Sequence, residues 1–138
     1  MIGGCAMARI VPLGSVKFSL NKSENIFVGF NESLETEKLG IYYARLMPGQ
    51  KLKRHMHNRP ENGDEIFFFF KPCRIKLGFE RDCGFTEEIL NIKEPTHILI
   101  DPKEHHSIEN VGDCDVVFEV ICAPKFKEGE VTIMERVL

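Results

Sequence analysis

The sequence predicts an all-β chain, a sandwich or barrel of short strands. Apolar or alternating runs recur along it, Pro, Gly, Asn and Asp stand at the joints, and helical periodicity is poor almost everywhere. Strands are expected at 25–30, 39–47, 51–57, 65–71, 74–79, 87–92, 96–100, 106–111, 116–123 and 131–137. The second is rich in Tyr and Leu and ends at Pro48-Gly49; the fourth carries Phe67-Phe68-Phe69-Phe70 and stops at Pro72. Residues 31–38 are polar, with at most one helical turn over 33–39, and 58–64 is a polar loop. The polar segment 124–130 connects to the last strand. Residues 1–15 read as an N-terminal arm and 16–138 as a single domain, with no repeat, low-complexity tract or linker dividing it.

At 138 residues the chain is long enough to bury its own core. An apolar content of 43% and a charged content of 28% suit a soluble globule, and eleven Phe with no Trp imply a phenylalanine-rich interior. The net charge of −3 argues against nucleic acid or an acidic membrane surface as partner. No apolar run approaches the roughly 18 residues of a membrane-spanning helix. The five cysteines, at 5, 73, 83, 114 and 122, are odd in number, widely spaced and without a C-x-x-C pair. Such usage disfavours a disulfide scaffold or structural zinc site and fits small buried thiols in a reducing cytoplasm. Neither a Gly-rich nucleotide loop nor an H-E-x-x-H or G-x-S-x-G motif is present.

The chemistry concentrates around Lys51-Leu52-Lys53-Arg54-His55-Met56-His57. On a strand, alternate residues share a face, so His55 and His57 are expected to offer two imidazoles to one side. If the next strand returns as a hairpin, Glu65 adds a carboxylate beside them, and His106, at the start of a later strand, is the fourth candidate. Three imidazoles and one carboxylate suit a divalent transition metal: Fe, Mn, Ni, Zn, Co or Cu.

Here the sequence resembles the cupin family. The first cupin motif, roughly G-x5-H-x-H-x3,4-E-x6-G, is matched by Gly49, His55 and His57; the end of the second, H-x3-N, is matched by His106 and Asn110. The resemblance spans 39–123 and implies a double-stranded β-helix, the jelly-roll β-barrel, with His55, His57, Glu65 and His106 holding the metal. Three departures stand out. Seven residues separate His57 from Glu65, so Glu61 sits at the family's literal spacing; Glu65 is preferred because it opens an evident strand. Both glycines of the second motif are absent, with Thr96 and Glu104 nearest to them. Pro102 precedes His106 by four residues rather than five, leaving His105 as a rival ligand.

Alternation carried back from His55 places Lys53 and Lys51 on the metal's face, where Lys53, with Arg45 and Arg59, would attract an anionic group of a small-molecule ligand. From Glu65, Phe67 and Phe69 are expected inward and Ile66, Phe68 and Phe70 outward. Two apolar faces imply that the outer one is covered as well, by a homodimer partner or a further layer. These expectations describe a metal-dependent enzyme of dioxygenase or isomerase/lyase type, with no general base assigned among Glu61, His105, Tyr42 and Tyr43. The alternatives are a non-catalytic small-molecule-binding barrel and a metal-free epimerase or isomerase of the sugar-nucleotide kind.

Overall fold

Alternation decides which way each strand faces. From Val116 to Ala123 every second residue is buried, so one face of that strand meets a core and the other does not. The computed structural model describes residues 9–21, 26–57, 64–81, 83–101, 105–125 and 131–133, excepting the side chains at 55–57, 81 and 131–133. Eleven strands occur among the described residues: β1 (Lys17–Asn21), β2 (Ile26–Phe30), β3 (Gly40–Leu46), β4 (Lys51–His57), β5 (Asp64–Phe69), β6 (Cys73–Arg81), β7 (Gly84–Ile92), β8 (Thr96–Ile100), β9 (His106–Asn110), β10 (Val116–Ala123) and β11 (Val131–Ile133). The described helices are two 3-10 turns, Leu13–Ser15 and Glu32–Leu34.

The strands form two antiparallel sheets, ordered β1-β2-β3-β10-β5-β8 and β11-β4-β9-β6-β7. Their facing surfaces enclose a core led by Phe67, Phe69 and Phe118, and the architecture is a jelly-roll β-barrel. Phe118 stacks on Phe69 with ring centroids 4.8 Å apart and meets Phe67 edge-on at 5.3 Å.

The expected hairpin between β4 and β5 does not form. β4 pairs with β9 and β11 in one sheet, whereas β5 pairs with β10 and β8 in the other. Strand β1 was not expected either, because Lys17-Phe18-Ser19-Leu20-Asn21 buries no residue and so shows no clean alternation. The outward-facing Phe68 lies flat on His97, ring centroids 4.3 Å apart, and Leu99, Ile66, Ile121 and Ile41 are aligned across four strands of the same outer face. All four described cysteines are free thiols. Only Cys122 is buried; Cys73 is half-buried, and Cys83 and Cys114 are exposed, contrary to the small-buried-hydrophobe reading of those two. Cys5 lies outside the described residues.

Two contacts lock β4 to β9 at one end. Gly49 takes φ +81°, a conformation only glycine adopts without strain, in a tight turn closed by Gln50 N–H donating to Met47 O at 2.9 Å. Gly49 N–H then donates to Asn110 O at 2.9 Å, and Asn110 N–H to Gln50 O at 3.0 Å. The buried Asn110 amide donates to Leu46 O and Cys114 O, at 2.9 and 2.8 Å, and accepts from Gly112 N–H at 3.0 Å. With that end fixed, the rest of β4 is placed against β9.

Candidate metal centre

Lys51 stands opposite Glu109 and Leu52 opposite Ile108, but His55 stands opposite His106: three steps along β4 match two along β9. This is a β-bulge. On β9 the inward residues are His106, Ile108 and Asn110, all with no exposed surface. The bulge therefore sets backbone position 55, rather than position 54, opposite His106.

Glu65 reaches the same region from the opposite sheet. It is the second residue of β5, between Cys122 of β10 and Ile100 of β8, and it is 2% exposed. Its Oε1 lies 3.6 Å from Nε2 of His106, across the barrel interior rather than along a shared sheet. Phe67, two residues further along β5, tilts against the His106 ring with centroids 5.6 Å apart. The structure thus brings together Glu65, His106 and backbone position 55. Among the described residues no group of three or more His, Cys, Asp or Glu is placed to hold a metal, and the side chains of His55 and His57 lie outside the described part.

The rival ligand His105 is on the other side of the sheet, its Nδ1 2.6 Å from Glu80 Oε1 and 3.0 Å from Arg54 Nη2. The other rival, Glu61, lies outside the described residues, as does Arg59. Arg45 does not join the cluster. It alternates with the buried Ala44 and Leu46, faces outward and pairs with Asp115 at 2.5 Å. Lys51 does not share the inward face either: Leu52 holds the inward position and Lys51 stands opposite Glu109, while Lys53 is half-buried within the bulge.

No protein-family model matches the sequence, and no curated protein does. Solved structures do. The capsular polysaccharide assembling protein CapF from Staphylococcus aureus superposes with a TM-score of 0.66 and 15% identity over 88% of this chain and 33% of that one. The Drosophila melanogaster CENP-C cupin domain gives 0.60 and 18%, over 82% of this chain and 74% of that one. The chain has the cupin fold. An oxalate oxidase in complex with the substrate analogue glycolate gives 0.52 and 14% identity, over 70% of this chain and 46% of that one. This cupin barrel spans about a third of the length of the CapF chain it matches.

Within the cupin barrel the two tyrosines separate. Tyr42 is inward; its ring lies over Gly40, where a Cβ would come within 2.6 Å of the hydroxyl, and that hydroxyl donates to Glu35 Oε2. Lys125 donates to the other oxygen of Glu35 at 3.4 Å. The row Gly40, Cys122, Glu65 crosses three strands, so Tyr42, Glu35 and Lys125 stand at the Glu65 end of the barrel. Sequence reasoning missed Glu35 and Lys125, since neither lies in a motif; the lone signal was a glycine two residues before a tyrosine. Tyr43 faces outward and donates to Glu119 Oε2 at 3.1 Å. Burial first, then the Glu119 charge and that hydrogen bond, pushes its hydroxyl up to about 12, so it is no base for the site.

A folded-state value raised above the ordinary 10 stabilises the fold fully below pH 10, and the contribution is lost as pH climbs towards 12. The stability difference between the native chain and Tyr43→Phe, from urea midpoints, is expected to shrink over that interval. A difference independent of pH would contradict the Tyr43–Glu119 assignment.

Proposed function

We propose that this cupin binds one divalent transition metal through His55, His57, Glu65 and His106, and that it is a metal-dependent enzyme acting on a small metabolite. One observation carries the reading: a carboxylate and an imidazole, both buried, stand 3.6 Å apart at the place where position 55 faces His106. A separation of 3.6 Å exceeds a good hydrogen bond. It suits two donors sharing an ion, which at about 2.1 Å from each would stand roughly 3 to 3.5 Å apart. The donor set of imidazole nitrogen and carboxylate oxygen fits Fe, Mn, Co, Ni, Cu or Zn.

When bound, such an ion supplies Lewis-acid polarisation of a substrate oxygen or, if redox-active, dioxygen chemistry, giving the isomerase/lyase and dioxygenase versions of the proposal. The chain's own residues do the rest. Phe67 fixes the His106 ring and, with Phe69 and Phe118, excludes water from the inner side of the site. At the same end of the barrel, Tyr42 offers a hydroxyl oriented by Glu35, itself held by Lys125. Free thiols at Cys73, Cys83, Cys114 and Cys122 support a reducing compartment such as the cytoplasm. No described helix is long and apolar enough to cross a membrane.

A non-catalytic binding role is the second reading, and the CENP-C structure bound to CAL1 favours it as a use of this fold. The row Leu99, Ile66, Ile121 and Ile41, with Leu99 76% exposed, supports a homodimer through the outer face of the six-stranded sheet.

Elemental analysis of the purified, reconstituted protein is expected to find close to one transition-metal ion per chain. His106→Ala and Glu65→Ala should each abolish stoichiometric loading, and a metal-free native protein after reconstitution with every candidate ion would sink the enzyme reading. Sedimentation at micromolar concentration is expected to give twice the chain mass; a monomer would remove the dimer.

A further inference from the structure

The bulge in β4 needs something to hold it. A regular ladder continued from Leu52 opposite Ile108 would place Arg54, not His55, opposite His106. Every inward residue would then be exchanged for an outward one beyond Leu52, and position 55 would leave the barrel. Arg54 is where the two registers differ most in cost. In the regular register its guanidinium would enter a core lined by Phe67 and Phe79, and burying a cation there is strongly unfavourable.

In the observed register Arg54 has a built seat on the outer face. Its guanidinium carbon lies 4.1 Å from the centroid of the Phe85 ring, and its Nη2 lies 3.0 Å from Nδ1 of His105. Glu80 Oε1 accepts from the His105 backbone N–H at 3.3 Å and lies 2.6 Å from the same Nδ1, which cannot donate to Glu80 while accepting from Arg54; the carboxylate sets a negative charge beside the seat of the guanidinium. Gly78 makes the seat possible. A Cβ there would fall 2.5 Å from the Phe85 ring and 2.3 Å from Ser107 Oγ, so only a glycine lets the ring lie across β6 towards β4. Residues from β4, β6, β7 and the start of β9 therefore meet at one point, directly behind the face that carries His106.

We propose that Arg54 is a positioning residue: seated between Phe85 and His105, it holds the β4 bulge and keeps position 55, rather than position 54, opposite His106. The claim about metal rests on the reading of His55 and His57 as ligands; the claim about register does not. Arg54→Leu removes the penalty against the regular register, because Leu52 and Leu at 54 then alternate as an inward pair. Deleting Lys53 in that variant removes the extra residue and returns His55 to His106.

Interstrand nuclear Overhauser contacts on the metal-free, isotopically labelled protein read the register directly. Contacts between His55 and His106 backbone protons are expected in the native chain. They should give way to contacts between positions 54 and 106 in Arg54→Leu, and reappear on deletion of Lys53. Co(II) titration of the same proteins should follow, with stoichiometric uptake lost in Arg54→Leu and recovered by the deletion. Retention of the 55–106 contacts in Arg54→Leu would overturn the proposal, leaving β11 and the Gly49 turn to hold the register. A native chain that takes up no Co(II) would refute the metal reading while the register result still stands or falls alone. If Arg54→Leu does not fold, Phe85→Leu decides. It removes only the ring; a doubled set of β4 signals supports the proposal and a single unchanged set defeats it.

Discussion

A carboxylate and an imidazole buried together inside a phenylalanine-lined barrel are the constraint on which this structure turns. Taking Glu65 and His106 out of water is costly unless other groups or an ion compensate them. That compensation has to come from inside the barrel, since the two residues arrive on different sheets and meet across the gap between them. The closed two-sheet arrangement is thus what creates the site. An open sheet carrying the same residues would leave Glu65 and His106 apart.

Placement of the remaining positions follows from how β4 is fastened. The Gly49 turn and Asn110 bond to each other through the backbone, while the Asn110 side chain binds the end of β3 and the turn leading to β10. From that anchor the ladder runs regularly to Leu52 and then gains a residue before His55. Gly49 and Asn110, matched to the two family motifs at distant points of the chain, are in this way partners in one structural device. Their work is to fix where β4 starts against β9, and the bulge decides which residue arrives opposite His106.

Much of the fold was legible in the sequence because alternation is a local signal. β5 and β10 bury the residues their patterns predict, and Phe67 and Phe69 lie inward with Glu65 as expected. What was not legible is non-local. Nothing in 51–71 distinguishes a hairpin from two strands in opposite sheets, and the hairpin expectation failed for that reason. Nor does period-two alternation reveal an added residue, so Lys51 was assigned to a face that Leu52 occupies. Arg45 looked available only until its partner Asp115, seventy positions away, was brought beside it. Of the two neighbouring histidines, His106 faces the interior with Glu65 and His105 lies against Glu80, as residues adjacent on a strand face apart.

X-ray absorption spectroscopy of the metal-loaded protein tests the central claim most directly, since it reads the ligands around the ion itself. The account predicts a shell of nitrogen and oxygen donors near 2.1 Å, with the outer-shell scattering of three imidazoles. A shell containing sulfur near 2.3 Å, or one without imidazole scattering, would contradict it.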